Sequence, residues 1–245
     1  MTTSGEQKRV QLDFEVAPTF IDLSHTIEDG MITYKGLPAP LICDHLSREQ
    51  SRQSYAPGTQ FQIDRITLVG NTGTYIDSPF HRFADGADLA DLDLSSLVGL
   101  DAVVVHVEGM SDRRIPAEAF GAVEVRNKAV LVHTGWARHW RTDQYFENHP
   151  FLSAAAAEYL QQAGAKLVGI DSLNIDDTAD GQRPVHTVLL GAGIPIVEHL
   201  RGLELLPALG ARFTAVPPKV RRMGTFPIRA FATLGGPSVA RAFAP

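Results

Sequence analysis

Cysteine is almost missing from this chain, since only Cys43 occurs in 245 residues. A single cysteine excludes an internal disulfide, and its simplest role is that of a small packed side chain. A chain without disulfides fits a reducing compartment. We therefore expect the protein to be cytoplasmic.

Long apolar runs and long basic runs are missing as well. No stretch approaches the roughly twenty apolar residues of a membrane span. The first 18 residues are polar and mixed in charge, and they lack the apolar core of a signal peptide. The net charge is −6, the isoelectric point is near 5.8, and no run is rich in Lys or Arg. The sequence thus predicts neither a membrane nor a nucleic-acid partner.

The composition is that of an ordinary globular domain, with 44% hydrophobic and 20% charged residues. A chain of 245 residues is most economically one domain with a sizeable core. We find no internal repeat and no low-complexity linker. The sequence therefore predicts one domain over residues 19–245, preceded by a tail or arm of residues 1–18.

Strand and helix patterns alternate along the domain. Short β-branched runs are typical of buried strands, and they occur at 61–69, 102–107, 129–133, 167–170, 195–197, 213–216 and 230–234. A helix is predicted from Ser153 as its N-cap to Ala163, with Gly164 just beyond its end. A shorter helix is predicted after Pro184. The pattern indicates a mixed α/β domain.

One segment, Asn71–His81 (NTGTYIDSPFH), carries the densest chemical signal. It places a Gly, a carboxylate, a Pro and a His directly after a strand pattern. Asp77 and His81 need polar partners if they are buried, while Gly73 and Pro79 constrain the backbone around them. The simplest interpretation is a strand that ends in a site.

This segment resembles the signature of the cyclase family, which includes bacterial kynurenine formamidases and isatin hydrolases. The family pattern is His-x-Gly-Thr-His-x-Asp-x-Pro-x-His, in which the chain keeps the Gly, Thr, Asp, Pro and last His. It has Asn71 and Tyr75 at the first two His positions. Further similarities extend the resemblance over residues 20 to 235, and they are Asp22–His25, Gly169–Ser172, His186, Glu198 and Pro227–Arg229.

The resemblance implies a fold and a set of site residues. The fold would be a single-domain swivelling β/β/α architecture, with a mixed sheet or small β-barrel core and peripheral helices. Asp77, His186 and Glu198 would be metal ligands, and His81 would be the general acid/base. The activity would be hydrolysis of an amide, formamide or cyclic amide bond, as in an arylformamidase.

The residue types agree with such chemistry. Two carboxylates and an imidazole are good ligands for Zn²⁺ or Mn²⁺, and a metal-activated water can attack a carbonyl. His81 suits proton transfer near neutral pH. Each residue also has a structural alternative. Asp77 could cap a turn, His81 could be a core or surface histidine, and His186 could face solvent.

Asn71 and Tyr75 set the expected number of ions. An amide oxygen and a protonated phenol are poor substitutes for imidazole, so we expect at most one divalent ion per chain. Asn71, Tyr75 and Phe80 are instead predicted to contact a small-molecule substrate.

Three hypotheses remain open at this stage. The first is a one-metal hydrolase, with Asp77 also taking part in catalysis. The second is a metal-free lactone hydrolase or cyclase that uses His81 and Asp77 as an acid/base pair. The third is a non-catalytic binder that kept the fold.

Assembly is predicted from the same resemblance, since members of the family generally form dimers or larger oligomers. In residues 1–18, Val10, Leu12, Phe14 and Val16 alternate with polar residues. Such a strand needs a sheet edge or a neighbouring subunit. We expect a homodimer or larger homo-oligomer.

Overall fold

A computed structural model describes residues 17–235. Within this range the strands, in chain order, are β1 Thr19–Asp22, β2 Leu41–Leu46, β3 Ile63–Thr67, β4 Tyr75–Asp77, β5 Leu100–His106, β6 Arg114–Ile115, β7 Ala129–His133, β8 Phe151–Leu152, β9 Leu167–Ile170, β10 Ile196–Glu198, β11 Leu209–Thr214, β12 Thr225–Pro227 and β13 Phe231–Leu234. The α-helices are α1 Arg48–Ser51, α2 Ala154–Ala163 and α3 Pro184–Gly191, and short 3₁₀ turns join several elements.

A nine-stranded mixed sheet forms the body of the molecule. Its strand order is β1-β13-β11-β5-β7-β9-β10-β4-β12. Strands β5, β7, β9 and β10 form a parallel block, in which each strand is parallel to the next. All other neighbouring strands in this sheet pair antiparallel. The sheet curls into a half-barrel with few helices. The predicted α/β fold is therefore confirmed.

Alternation along the central strands divides the core into two layers. Val103 and Val105 of β5 pack with α2 and α3, whereas Ala102 and Val104 pack against the outer strands and the loops that cover the opposite face. Buried strands that are apolar on both faces lack a strict polar alternation. This explains why β-branched runs, and not period-2 patterns, marked them in the sequence.

The helix predictions are confirmed at α2. The Ser153 hydroxyl accepts the backbone N–H of Ala156, and Gly164 takes the left-handed conformation (φ 82°) just past the last turn. The predicted shorter helix corresponds to α3, which begins at Pro184 and carries His186. It packs on the same sheet face as α2 and brings His186 toward β4 and β10.

A second, two-stranded sheet of β2 and β3 lies apart from the main one. Cys43 is half-buried on this hairpin and packs less than predicted. Among residues 17–235 no helix is long and apolar enough to cross a membrane. The predicted arm of residues 1–18 lies outside the described residues, except for its last two positions.

Candidate active site

Four side chains from three separate segments of the sequence meet beside one cavity. The ligand atoms of Asp77, His81 and His186 all lie within 4.8 Å of one another, and His186 Nε2 is 3.7 Å from Glu198 Oε1. The cavity has a volume of about 280 Å³, and His81, His186 and Glu198 line it. Asp77 and Glu198 are completely buried, while the His81 side chain is 35% exposed. The arrangement is a buried acidic centre with an imidazole on its solvent side.

Strand register explains how the acidic centre forms. In β4, Tyr75 and Asp77 point to the same face because side chains alternate along a strand. Glu198 of β10 lies opposite Tyr75, and Thr225 of β12 lies opposite Asp77. Ile76 points the other way and packs in the core. The short strand β4, held between two antiparallel neighbours, therefore gathers the polar groups on one face.

His186 is held by a carboxylate behind it. Asp176 Oδ2 lies 2.7 Å from His186 Nδ1 and accepts the backbone N–H of His186 at 3.0 Å. Its other oxygen accepts the backbone N–H of Val185. Asp176 thus caps the first turn of α3 and holds the proton of His186 on Nδ1. His186 Nε2 faces Asp77 and Glu198, so an ion bound there would take the place of its proton, as in a metal-binding histidine with a supporting carboxylate.

The charges at this centre favour a cation. Burial lowers the pKa of His186, but the hydrogen bond to Asp176 and the negative charges of the nearby Asp77 and Glu198 outweigh it and raise that pKa to about 10. Burial raises the pKa of Glu198, and the nearby Asp77 adds to the rise against the opposing effect of His186. Both directions indicate excess negative charge in a poorly solvated place. A positive charge bound between these groups would offset it.

The geometry of the donor atoms also fits a divalent ion. Asp77 Oδ2 is buried with no hydrogen-bond partner among the described residues, and His186 Nε2 is 3.7 Å from it and 3.7 Å from Glu198 Oε1. Two ligand atoms bound at about 2.1 Å can lie up to about 4.2 Å apart, so an ion can bridge His186 Nε2 and either of these carboxylates. An orphaned buried carboxylate oxygen is costly without such a partner.

Thr225 connects Asp77 to His81. Its hydroxyl donates a hydrogen bond to Asp77 Oδ1 and lies 2.7 Å from His81 Nδ1. A hydroxyl has one proton to donate, so the bond from His81 requires the imidazole proton to be on Nδ1. His81 Nε2 then carries the lone pair that a general base needs.

The three residues expected to contact substrate, Asn71, Tyr75 and Phe80, lie in different environments. Asn71 lines the cavity. Tyr75 is fully buried, and its hydroxyl donates to Glu198 Oε2; burial and then the charge of Glu198 raise its pKa well above its usual range. Tyr75 is therefore a neutral phenol that supports Glu198. Phe80 is half-buried in a 3₁₀ turn and is not among the cavity residues.

Sequence reasoning missed several groups that complete the centre. The Tyr34 hydroxyl lies 3.0 Å from that of Tyr75 and donates to the carbonyl of Leu173 at 2.6 Å. Asn174 donates to the Tyr34 hydroxyl and to Glu198. No local motif marks Tyr34, whereas Asn174 lies in the polar loop that follows β9.

Comparison with known proteins places this architecture in a family. The Cyclase family model matches residues 21–177, more than half of the chain. The chain belongs to the Cyclase family. A kynurenine formamidase from Geobacillus thermodenitrificans is 28% identical over 218 residues, which cover 84% of this chain and 98% of that protein.

Solved structures of cyclase proteins share the fold. An isatin hydrolase bound to the product analogue thioisatinate has a TM-score of 0.75 at 22% identity, covering 89% of this chain and 93% of that chain. A predicted metal-dependent hydrolase from Bacillus stearothermophilus has a TM-score of 0.71 at 26% identity, covering 89% and 99%. The half-barrel sheet is thus that of a cyclase domain.

Proposed function

We propose that this cyclase protein is an arylformamidase-like hydrolase, which cleaves the carbon–nitrogen bond of a small amide, formamide or cyclic amide with one divalent ion. The observation that carries the proposal is the buried triad of Asp77, His186 and Glu198, with a partly exposed His81 beside it in one cavity. The match with the kynurenine formamidase covers 98% of that protein, and this supports a formamide substrate.

Asp77, His186 and Glu198 would hold the ion, Zn²⁺ or Mn²⁺. Such an ion supplies Lewis acidity, which polarises a carbonyl and makes water a nucleophile near neutral pH. Asp176 holds His186 through Nδ1 and so leaves Nε2 as the nitrogen that would bind the ion. Donors from Tyr75, Asn174 and the Ile175 backbone fix the Glu198 carboxylate.

His81 moves the proton in this scheme. Its Nε2 accepts a proton from the attacking water as the new carbon–oxygen bond forms. The protonated imidazole then gives that proton to the amide nitrogen as the carbon–nitrogen bond breaks, so the products are a carboxylic acid and an amine. Thr225 and Asp77 hold the Nδ1 side of the ring throughout. The cavity of about 280 Å³ suits a molecule with one small ring.

Asn71 borders the cavity and would hydrogen-bond the substrate, since its amide both donates and accepts. Tyr75 acts one step further away, through Glu198. Its substitution should change ion binding more than substrate affinity.

A substrate panel tests the activity. Purified protein should hydrolyse N-formylkynurenine or isatin, and the His81→Ala variant should not. His45, an exposed histidine on β2, gives the matched control His45→Ala, which should retain the parent rate. Hydrolysis of simple lactones alone, undiminished by chelators, would contradict the proposal and favour the metal-free reaction. Binding of these compounds without turnover would favour a non-catalytic protein.

The protein would work as a cytoplasmic homodimer or larger homo-oligomer. The β2–β3 hairpin supports this assembly, because Leu41, Ile63 and Ile66 are each about half exposed on it and an isolated two-stranded hairpin is marginal in water. Light scattering at micromolar concentration should give at least twice the chain mass of 26.6 kDa.

A further inference from the structure

Two arginines border the cavity that contains the triad. Arg82 follows His81 directly, and Arg183 precedes α3; both line the cavity together with His186. Neither residue belongs to the triad, and the hydrolytic scheme gives them no role. Their guanidinium groups place positive charge at the cavity wall.

Both guanidinium groups lack a counter-ion. Among residues 17–235 no carboxylate oxygen lies within 4.0 Å of Arg82 or Arg183. Arg183 donates instead to the backbone carbonyls of Asp177 and Thr178. The Asp177 carboxylate is engaged at 2.7 Å by Arg113. The two charges at the cavity are therefore available to an anion from outside.

The Thr187 side chain connects Arg82 to the backbone of Arg183. Thr187 Oγ1 accepts a hydrogen bond from Arg82 Nε at 3.2 Å and donates to the Arg183 carbonyl at 2.8 Å. Arg183 adopts a left-handed backbone conformation (φ 51°), which is unfavourable for a residue with a Cβ. Thr187 on α3 thus holds the Arg82 side chain next to the backbone of Arg183, while the carbonyls of Asp177 and Thr178 hold the Arg183 guanidinium group.

We infer that Arg82 and Arg183 form a subsite for an anionic group, and that the substrate carries a carboxylate in addition to the bond that is cleaved. The inference rests on the proposed hydrolase function. Guanidinium groups pair with carboxylates through two parallel hydrogen bonds. Arg82 uses its Nε on Thr187, and among residues 17–235 its two terminal nitrogens have no hydrogen-bond partner, so both are available for such a pair. The few polar groups of a small cavity set the orientation of its ligand, so the carboxylate would align the formamide with His81.

Matched substrates test the subsite. The probes are formanilide, which is neutral, and the three positional isomers of (formylamino)benzoate, which are anionic. We expect the best benzoate isomer to exceed formanilide in kcat/KM by about tenfold or more, as expected for one charge-assisted contact. The advantage should shrink as ionic strength rises. Equal or lower kcat/KM for all three benzoates would overturn the subsite and leave the hydrolase function standing.

Substitutions identify the residues responsible. Arg82→Gln and Arg183→Gln should each reduce the ratio of benzoate to formanilide kcat/KM by about tenfold. Thr187→Val should reduce the same ratio through the position of Arg82, and Thr187→Ser should restore it. The exposed Arg126, which precedes β7, provides the matched control Arg126→Gln with an unchanged ratio. A parent-like ratio in the Arg82→Gln, Arg183→Gln double variant would overturn the assignment.

A binding measurement tests the anion subsite separately from the hydrolytic activity. Calorimetry with benzoate and benzamide on metal-loaded protein needs no turnover. The parent should prefer benzoate, and the double arginine variant should lose that preference. If formamides are not hydrolysed but this difference is observed, the hydrolase function fails while the anion subsite stands. If the double variant binds benzoate as tightly as the parent, the carboxylate binds elsewhere, for instance on the ion, and the subsite is refuted.

Discussion

The Asp176→Asn variant tests how the protein holds its ion without touching a ligand atom. Asp176 accepts three hydrogen bonds, from the backbone N–H groups of Val185 and His186 and from His186 Nδ1. An asparagine has nearly the same shape but no charge and only one acceptor oxygen. An amide nitrogen in the Oδ1 position would face the Val185 N–H and lose one bond, whereas in the Oδ2 position it would face both His186 donors and lose two. The variant therefore weakens both the cap of α3 and the support of His186.

The expected magnitude follows from these contacts. Loss of a carboxylate behind a ligating histidine costs about 10–100-fold in metal affinity, or about 1.4–2.7 kcal/mol. A buried donor left unpaired costs about 1–3 kcal/mol of unfolding free energy. Competition with a chromophoric chelator measures the dissociation constant of the ion, and urea denaturation measures the stability of the metal-free protein.

A control in the same loop separates charge from position. Asp180 accepts the backbone N–H of Gln182, so Asp180→Asn removes one negative charge from the same loop while keeping an acceptor. It should leave the affinity for Zn²⁺ or Mn²⁺ unchanged. If Asp176→Asn binds the ion within twofold of the parent, His186 is not held for metal binding in the way described.

The remaining predictions concern the other parts of the site and the assembly. His81→Ala should lower kcat by about 10²–10⁴ with an unchanged urea midpoint, and a variant that unfolds would favour a structural role. Thr225→Val should lower kcat about tenfold or more, because His81 loses its Nδ1 partner, and Thr225→Ser should restore kcat. A parent-like kcat in the valine variant would show that the contact of Thr225 with His81 does not support catalysis. Asn71→His combined with Tyr75→His should raise the ion count measured by elemental analysis from one to two per chain, and an unchanged count would show that the second position cannot be restored. Deletion of residues 1–18 should convert the oligomer to monomer in light scattering, and an intact oligomer would remove the arm from the interface.

The elements that were predictable from sequence are those with strong local signals. The β-branched runs 129–133 and 167–170 match β7 and β9 residue for residue, and Ser153 and Gly164 mark both ends of α2. The strand predicted at 213–216 instead spans Leu209–Thr214, because its limits depend on an irregular pairing with β5. Short strands such as β6 and β8 exist only through their pairing with each other and leave no local pattern.

The residues of the site also differ in whether a local sequence pattern marks them. The segment ending at His81 is compact in sequence, so its polar residues could be identified together. The contact of Thr225 with Asp77 spans 148 positions and follows from the register of β12 on β4, which no local pattern reports. Tyr75 was expected to contact substrate because of its place in the motif. Its buried position follows from the cross-strand pairing with Glu198.

The central claim is that one divalent ion on Asp77, His186 and Glu198 enables formamide hydrolysis. The most direct test is a titration of metal-stripped protein with Zn²⁺ or Mn²⁺ while the rate of N-formylkynurenine hydrolysis is followed. The rate should rise from near zero and stop increasing at one equivalent per chain. A stripped protein with full activity, or a rate that saturates only at two equivalents, would contradict the account.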